Sequence, residues 1–298
     1  MNQFDIPILF LIFNRPDTTS LVFNEIRKVK PKKLYIAADG PRSLKEEKLC
    51  LECRTISEKI DWECDLKLLY RKENLGCQMA VSEAITWFFE NNEMGIILED
   101  DCLPLPSFFP FCKELLIKYK DEENIMHISG NNFQLGNDKN EQSSYYFSRY
   151  PHIWGWATWK RAWLKYDIEM KNYPKLLSNQ EFVKYADNFI LKLVYEKKLS
   201  TWDSQWLYSV NFENGLCILP RFNLVKNIGF SEKNATNTIA MPKWFNKMIY
   251  KDIETIIHPI SIRLDNKADL FTRNNILSNK RMRIKEKIRK IISYMKLN

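Results

Sequence analysis

The sequence is poor in glycine. It has 298 residues but only eight glycines, and none lies between Met1 and Asp39. An early glycine-rich loop that wraps a nucleoside triphosphate is therefore excluded. The chain also lacks an apolar run long enough to span a membrane. Because Met1–Asp5 carries no basic segment, we do not interpret the apolar residues 8–13 as a signal peptide.

The cysteines give no sign of a disulfide framework. There are seven, an odd number, and they are scattered along the chain. Cys50 and Cys53 form a single Cys-x-x-Cys within a charged helical pattern and have no second pair, so we interpret them as ordinary helix residues rather than a zinc or redox motif. A reduced, cytoplasmic location fits this usage best.

Positive charge is concentrated at the end of the chain. The formal net charge is +8, and residues 279–298 hold eight Lys or Arg against one acid, so +7 lies there and +1 elsewhere. The basic character of the whole chain is therefore no evidence for a nucleic-acid groove in the main body, and we expect no nucleic-acid partner. Apolar residues at steps of three and four in this tail predict a basic amphipathic helix on an anionic inner-membrane surface, worth about 1 kcal/mol per basic residue near the surface. An RNA-binding or merely solvated tail stays open as an alternative.

Three adjacent carboxylates form the most informative stretch. The apolar run Ile96–Leu98 leads directly into Glu99, Asp100 and Asp101, and prolines follow at positions 104 and 106. The pattern predicts a buried strand with the acids at its carboxyl end, where open α/β sheets bind their ligands. Three like charges favour a hard cation such as Mn²⁺ or Mg²⁺. The alternative is a solvated acidic loop.

The first 130 residues alternate between strand and helix patterns. Apolar runs at Pro7–Phe13 and Leu34–Ala38 predict parallel strands, which are followed by Arg15 and Asp39, respectively. We therefore predict an α/β fold with a mostly parallel central sheet flanked by helices, and we expect Arg15 and Asp39 to share one rim with the acidic triplet (Glu99, Asp100, Asp101).

Tryptophan is concentrated in the second half. Residues 154–163 hold four of the nine tryptophans, more than a single helix face buries, so we expect some to line a pocket, although each is about as well explained by the core. Trp202 and Asp203 open a late helix. Asp203 lies where a helix favours a carboxylate in any case, so a capping role stays open.

In their order, these motifs resemble the GT-A glycosyltransferases, most closely bacterial family-2-like sugar transferases and more remotely N-acetylglucosaminyltransferase I. The resemblance covers most of Ile8–Thr238. It rests on these motifs: Asn14-Arg15-Pro16; Asp39-Gly40; Leu98-Glu99-Asp100-Asp101 with Phe108-Phe109; His152-Ile153-Trp154-Gly155-Trp156; Trp202-Asp203; and Asn223-Leu224-Val225-Lys226-Asn227-Ile228-Gly229.

The resemblance implies a GT-A, Rossmann-like fold for residues 1–260, with a nucleotide-binding half (1–130), an acceptor-binding half (131–260) and a C-terminal extension (261–298). It implies that Arg15 lies near the donor phosphates and Asp39 at the base. Asp101 would bind Mn²⁺ or Mg²⁺, which bridges the diphosphate. Glu99 and Asp100 would face the donor ribose and sugar.

For the acceptor half, the resemblance implies that Asp203 is the base of an inverting reaction. Trp154, Trp156 and Trp202 offer flat faces for sugar rings. One departure is that relatives often carry His in an Ala-Thr-His-Thr stretch, where this chain has Asn237.

The predicted activity is therefore that of a metal-dependent inverting glycosyltransferase of the hexosyltransferase class. It would move a sugar from a nucleotide-sugar, a UDP-sugar by the resemblance, to a glycan or lipid-linked acceptor in bacterial surface polysaccharide synthesis. Should Asp203 not be the base, Glu213 and Asp167 are the fallbacks. A sugar-phosphate nucleotidyltransferase ranks lower because the early glycine loop is absent. A non-catalytic peripheral membrane protein explains the tail but not the motifs.

Overall fold

The computed structural model describes residues 3–137, 142–179, 182, 188–230, 242 and 244–277. Its strands are β1 (Ile8–Ile12), β2 (Lys33–Ala38), β3 (Asp65–Tyr70), β4 (Met94–Glu99), β5 (Cys102–Pro104), β6 (Ile125–Ser129), β7 (Tyr145–Ser148), β8 (Trp156–Trp159), β9 (Leu216–Pro220) and β10 (Val225–Asn227). The longer helices of the first half are α1 (Pro16–Val29), α2 (Leu44–Ser57), α3 (Gly76–Glu90) and α4 (Phe108–Lys118).

The second half contributes shorter helices. They span Lys160–Trp163, Tyr173–Leu176, Asn188–Tyr195, Asp203–Phe212 and Asn266–Thr272, with a 3₁₀ turn at Phe245–Lys247 and a π-helical turn at Arg273–Leu277. Within the described residues, no helix is both long enough and apolar enough to cross a membrane.

Eight strands form one central sheet in the order β3-β2-β1-β4-β8-β6-β9-β7. Strands β3, β2, β1 and β4 pair in parallel, β8 runs antiparallel to both of its neighbours, and β7 runs antiparallel to β9. The remaining strands all point the same way, because β6 is parallel to β9 and opposite to β8. The predicted α/β class with a mostly parallel sheet is confirmed.

The sheet is covered on both faces, which explains the continuous apolar runs of its central strands. All five residues of β1 are buried. Phe10 belongs to the core on the side of α1 and α4, whereas the adjacent Leu9 belongs to the core on the side of α3. Each fully buried large apolar side chain contributes about 1.5–3 kcal/mol, so these alternating contacts fix the strand between two helical layers.

The strand register brings the carboxyl ends of β1, β2 and β4 to one edge. Ile12 is paired with Ala38, and Leu11 is paired with Glu99. The residues that follow these strands therefore meet on one rim, as the sequence predicted for Arg15, Asp39 and the acidic triplet.

A second, two-stranded sheet ties the late part of the chain to this rim. Strand β10 is antiparallel to β5, which begins directly after Asp101, and the pairs run from Val225 with Pro104 to Asn227 with Cys102. The backbone N–H of Ile228 then donates to the carbonyl of Asp101 at 2.8 Å. This pairing spans more than a hundred residues and places residues 227–229 against the acidic triplet.

The C-terminal described segment packs on the outer strand of the central sheet. Asp269 accepts hydrogen bonds from Ser148 Oγ at 2.5 Å and from the Arg149 N–H at 3.0 Å. Gln134 Nε2 donates to Thr272 Oγ1 at 2.9 Å. The helix Asn266–Thr272 therefore closes this edge. The predicted basic helix at 279–298 lies outside the described residues.

Candidate active site

A cleft of about 430 Å³ opens at the carboxyl ends of β1, β2 and β4. Backbone and side chains from the loops after these strands form its floor, and α3 and the segment 227–230 form its walls. The predicted residues that line it are Arg15, Asp39, Glu99, Asp100, Asp101 and Trp154. Six of the nine residues that the sequence singled out as candidate site residues therefore meet in one cavity.

Arg15 pairs with the acidic triplet at the centre of the cleft. Its Nη1 lies 2.6 Å from Asp101 Oδ2 and 3.6 Å from Asp100 Oδ1. The backbone N–H of Phe13 donates to Asp100 Oδ2 at 3.0 Å. Arg15 ends the loop between β1 and α1, so the length of β1 and the proline at position 16 fix where the guanidinium enters.

The triplet holds more negative charge than its surroundings neutralise. Burial, with the nearby Asp101, Asp100 and Asp203 carboxylates, raises the pKa of Glu99 well above its ordinary value. Burial and Asp101 also raise the pKa of Asp100 to about 7, against the opposing effect of Arg15 and the Phe13 N–H. Burial opposes the charge of Arg15, but Asp100 and Asp101 outweigh it and raise the Arg15 pKa. A further cation would relieve this imbalance.

Both carboxylate oxygens of Asp39 accept hydrogen bonds from neighbouring groups of the protein. Oδ1 accepts from the backbone N–H of Gly40 at 2.9 Å and of Leu75 at 3.0 Å. Oδ2 accepts from Asn74 Nδ2 and from the Gly76 N–H, both at 3.0 Å. Four donors fill the capacity of an ionised carboxylate, so Asp39 joins β2 to the start of α3. This arrangement does not fit the implied contact between Asp39 and a nucleobase.

The turn at 227–229 forms the wall beside Asp101, which sequence reasoning did not assign. Asn227 Oδ1 accepts from the Gly229 N–H at 2.9 Å. A Cβ at Gly229 would overlap Asp101 Oδ2. Only glycine permits the carboxylate to lie this close to the backbone, which limits how far the Asp101 side chain can rotate. The Asn-x-Gly spacing was the available signal.

Two further arginines line the cleft and were missed. Arg42 is hydrogen-bonded to Glu46, and its guanidinium carbon lies 5.2 Å from the centre of the Phe13 ring. Arg71 Nη2 lies 2.6 Å from Glu83 Oε2. Glu46 lies on α2 and Glu83 lies on α3, and both helices pack beside the rim. A polar end of the cleft with two such cations suits an anionic ligand.

The tryptophans divide between pocket and core. Trp154 is half-buried and lines the cleft beside Phe230. Trp156 and Trp202 are buried in the core, at 0% and 2% exposure, and stack on each other with ring centres 5.7 Å apart. These two side chains present no face to a ligand, so their predicted sugar contacts do not fit the structure. The reason is that Trp156 belongs to β8, a central strand that the sequence pattern did not reveal.

Half-buried rings around Trp154 form an aromatic wall at the same end of the cleft. Phe133 and Phe230 lie 5.2 and 5.7 Å from Trp154, centre to centre, and Trp244 lies 6.3 Å away in a stacked arrangement. Phe133, Phe230 and Trp244 are absent from the main core clusters of the described residues. Of this wall, only Trp154 was predicted.

Asp203 is the first residue of the helix Asp203–Phe212. Its Oδ1 accepts from the Ser204 N–H at 2.8 Å and from Thr201 Oγ1. Asp203 does not itself line the cleft, but its charge acts on Glu99 and on Cys77, which do. Asp203 is therefore within electrostatic range of Glu99, and the local hydrogen bonds described above engage only its Oδ1.

The two fallback carboxylates have structural partners. Asp167 accepts from the backbone N–H of Glu169 at 3.1 Å and of Lys171 at 2.7 Å, which closes a turn. Glu213 forms an ion pair with Lys165 at 3.2 Å. Neither Asp167 nor Glu213 lines the cleft.

A divalent cation is compatible with the acidic triplet. Among the described residues, no three His, Cys, Asp or Glu side chains converge as a complete protein-only metal site. A Mn²⁺ or Mg²⁺ ion commonly uses one or two carboxylates and takes its other ligands from substrate phosphates and water. Asp101 and Asp100 supply hard oxygen atoms of this kind, and both carboxylates already lie close to one cationic group, Arg15.

Comparisons with known proteins add little to this geometry. No family model and no curated protein matches the chain. A solved structure of UDP-glucose pyrophosphorylase complexed with UDP-glucose is 10% identical and covers 82% of this chain and 97% of that one, with a TM-score of 0.39. A solved structure of apo UDP-glucose pyrophosphorylase is 11% identical and covers 75% of this chain and 93% of that one, with a TM-score of 0.41. Likenesses this weak support no argument about activity.

Proposed function

We propose that the chain is a cation-assisted inverting glycosyltransferase that moves a sugar from a nucleotide-sugar, a UDP-sugar by the resemblance of its motifs, to a glycan or lipid-linked acceptor. The observation that carries the proposal is the meeting of Arg15 and the acidic triplet in one cleft, with Asp203 acting on Glu99 from a separate helix. The arrangement offers cationic, metal-ligating and proton-accepting groups at one place, which transfer from a diphosphate requires.

For donor binding, we assign the phosphates to Arg15, with Arg42 and Arg71 in reach of the same cleft. Asp101 would hold the Mn²⁺ or Mg²⁺ ion, assisted by Asp100. When bound, such an ion supplies positive charge to the departing diphosphate. Because Asp39 is filled by hydrogen bonds, recognition of the base falls to other residues at the β1 end of the cleft.

For the chemical step, we assign Asp203 as the general base. Its Oδ1 is held by Ser204 and Thr201, which orients the carboxylate. Oδ2 would take the proton from the acceptor hydroxyl. The hydroxyl oxygen would at the same time attack the anomeric carbon of the donor sugar, while the bond from that carbon to the diphosphate breaks. One such base suffices for inversion because no covalent intermediate has to be resolved.

For the acceptor, we assign the aromatic wall around Trp154, since flat rings suit the apolar faces of sugars. The basic residues of 279–298 support a lipid-linked acceptor at the cytoplasmic face of the inner membrane, because an anionic surface would attract them. This membrane contact is a proposal from the sequence alone.

Sugar-phosphate nucleotidyl transfer is the second candidate. Its substrates would also occupy a nucleotide-binding cleft in an α/β fold, so the observed architecture is compatible with it. Against it stands the absence of glycine before Gly40, where a triphosphate loop is expected. Both candidates use a nucleotide-sugar cleft, so the reaction products have to separate them.

The test compares two reactions in the presence of Mn²⁺. Glycosyl transfer predicts release of UDP from UDP-sugars, whereas nucleotidyl transfer predicts pyrophosphate from UTP and a sugar 1-phosphate. Asp203→Asn keeps the shape of the side chain and removes the base, so we expect at least a hundredfold loss of UDP release with unchanged UDP binding. Glu213→Gln is the matched control and should retain activity. Pyrophosphate release without UDP release would replace the first candidate by the second.

A further inference from the structure

Arg15 occupies the place where a cation would meet the acidic triplet. Its guanidinium lies 2.6 Å from Asp101 Oδ2 and 3.6 Å from Asp100 Oδ1. The Arg15 and Asp101 side chains are only 17% and 16% exposed. An ion pair this well shielded is weakly screened by solvent, so its partners separate only when another charge takes over.

The position of the Asp101 side chain is constrained on two sides. Gly229 lies against Oδ2 so closely that even a Cβ would overlap it. The carbonyl of Asp101 is fixed by the Ile228 N–H at 2.8 Å. A cation that approaches Oδ2 meets the positive charge of the Arg15 guanidinium, which lies 2.6 Å from the same oxygen, so the two cations repel each other and each weakens the binding of the other.

The other two arginines of the cleft cannot neutralise Asp101 in place of Arg15 without leaving their own partners. Arg42 is hydrogen-bonded to Glu46 and Arg71 to Glu83. If Arg15 moves away from Asp101, it needs a new anion within reach of its side chain. The diphosphate of the donor would be such an anion, and guanidinium groups match phosphate oxygens well.

We propose that Arg15 and the divalent cation compete for Asp101, so that the cation binds tightly only when a nucleoside diphosphate draws the guanidinium away. This inference rests on the proposed function, since it assumes a diphosphate ligand. It assigns Arg15 a second role beyond phosphate binding: it couples cation binding to nucleotide binding and so prevents the cation from occupying the cleft alone.

The test is a titration with Mn²⁺ alone, in which free Mn²⁺ is measured by its electron paramagnetic resonance signal. Wild type should bind Mn²⁺ weakly without nucleotide, and Arg15→Met should bind it at least tenfold more tightly because Asp101 is released. Arg15→Lys keeps a positive charge at the site and should stay close to wild type. Arg27→Met removes an exposed arginine that pairs with Asp61 away from the cleft, and it should leave the Mn²⁺ affinity unchanged. Thermal unfolding verifies that each variant is folded.

A second titration with UDP separates this inference from the proposed function. In wild type, UDP should raise the Mn²⁺ affinity at least tenfold, whereas in Arg15→Met this increase should be several-fold smaller, because only the direct contact between phosphate and cation remains. Equal Mn²⁺ affinity in wild type and Arg15→Met, with UDP binding intact, would overturn the competition but leave the nucleotide site standing. Absence of UDP binding in wild type would instead overturn the proposed function on which the inference rests.

Discussion

Replacing Asp39 by Asn separates two roles of this residue. The resemblance implies a contact with the nucleobase, whereas the structure gives Asp39 four hydrogen bonds from Gly40, Asn74, Leu75 and Gly76. Asn retains one acceptor oxygen and presents an NH₂ group where the second oxygen was. Two of the four hydrogen-bond donors around residue 39 then face this NH₂ group, which cannot accept a hydrogen bond.

The expected loss of stability follows from these two donors. Each half-buried donor without an acceptor costs about 1–3 kcal/mol, so Asp39→Asn should lower the free energy of unfolding by about 2–6 kcal/mol. Urea denaturation at pH 7 measures it. Asp65→Asn is the control, because Asp65 is exposed and pairs only with Lys67 at 3.2 Å, a surface contact worth about 0–1 kcal/mol. Unchanged stability together with lost UDP binding would refute our account and restore the base contact.

Three more predictions test the cleft and its support. Gly229→Ala should abolish Mn²⁺-dependent UDP binding measured by calorimetry, because the added Cβ overlaps the Asp101 carboxylate; wild-type affinity would mean that the turn is free to shift. Asp100 favours its protonated form in the folded state, so its stabilising contribution is present below its unfolded pKa of 3.8 and is lost as the pH rises to about 7. Between pH 4 and pH 8, the free energy of unfolding should therefore fall by about 4 kcal/mol less in Asp100→Asn than in wild type. Parallel pH profiles of the two proteins would contradict this. Trp156→Ala should cost about 3–5 kcal/mol of stability in urea, whereas Trp154→Ala should cost far less and weaken acceptor binding; equal costs would mean that Trp154 belongs to the core.

The fold of the first half was readable because parallel strands covered on both faces appear as continuous apolar runs. The predicted strands at Pro7–Phe13 and Leu34–Ala38 are β1 (Ile8–Ile12) and β2 (Lys33–Ala38), and the apolar run before the acids is β4 (Met94–Glu99). From the order of these strands, the shared rim of Arg15 and Asp101 followed directly.

The second half was less readable because its pairings are short and distant in sequence. Strand β8 has four residues within a tryptophan-rich stretch and no distinct alternation, so the burial of Trp156 was not evident. Strands β5 and β10 have three residues each and pair across more than a hundred positions. Their contact brings Gly229 to Asp101, which no local pattern predicts.

The state of individual site residues also depends on contacts that the sequence does not show. Asp39 is filled by donors that come mostly from residues 74–76, some 35 positions later. Arg15 was predicted to meet phosphates, but its pairing with Asp101 follows only from the three-dimensional arrangement. Sequence patterns located the site, whereas hydrogen bonding and burial decide what each residue is free to do.

The central claim is that this cleft binds a nucleoside diphosphate through a cation held by Asp101. The most direct measurement is a calorimetric titration of the protein with UDP, with and without Mn²⁺, on wild type, Asp101→Ala and the control Asp65→Ala. We predict that tight UDP binding requires both Mn²⁺ and Asp101 and is retained in Asp65→Ala. UDP binding of equal strength without Mn²⁺ and in Asp101→Ala would contradict the claim.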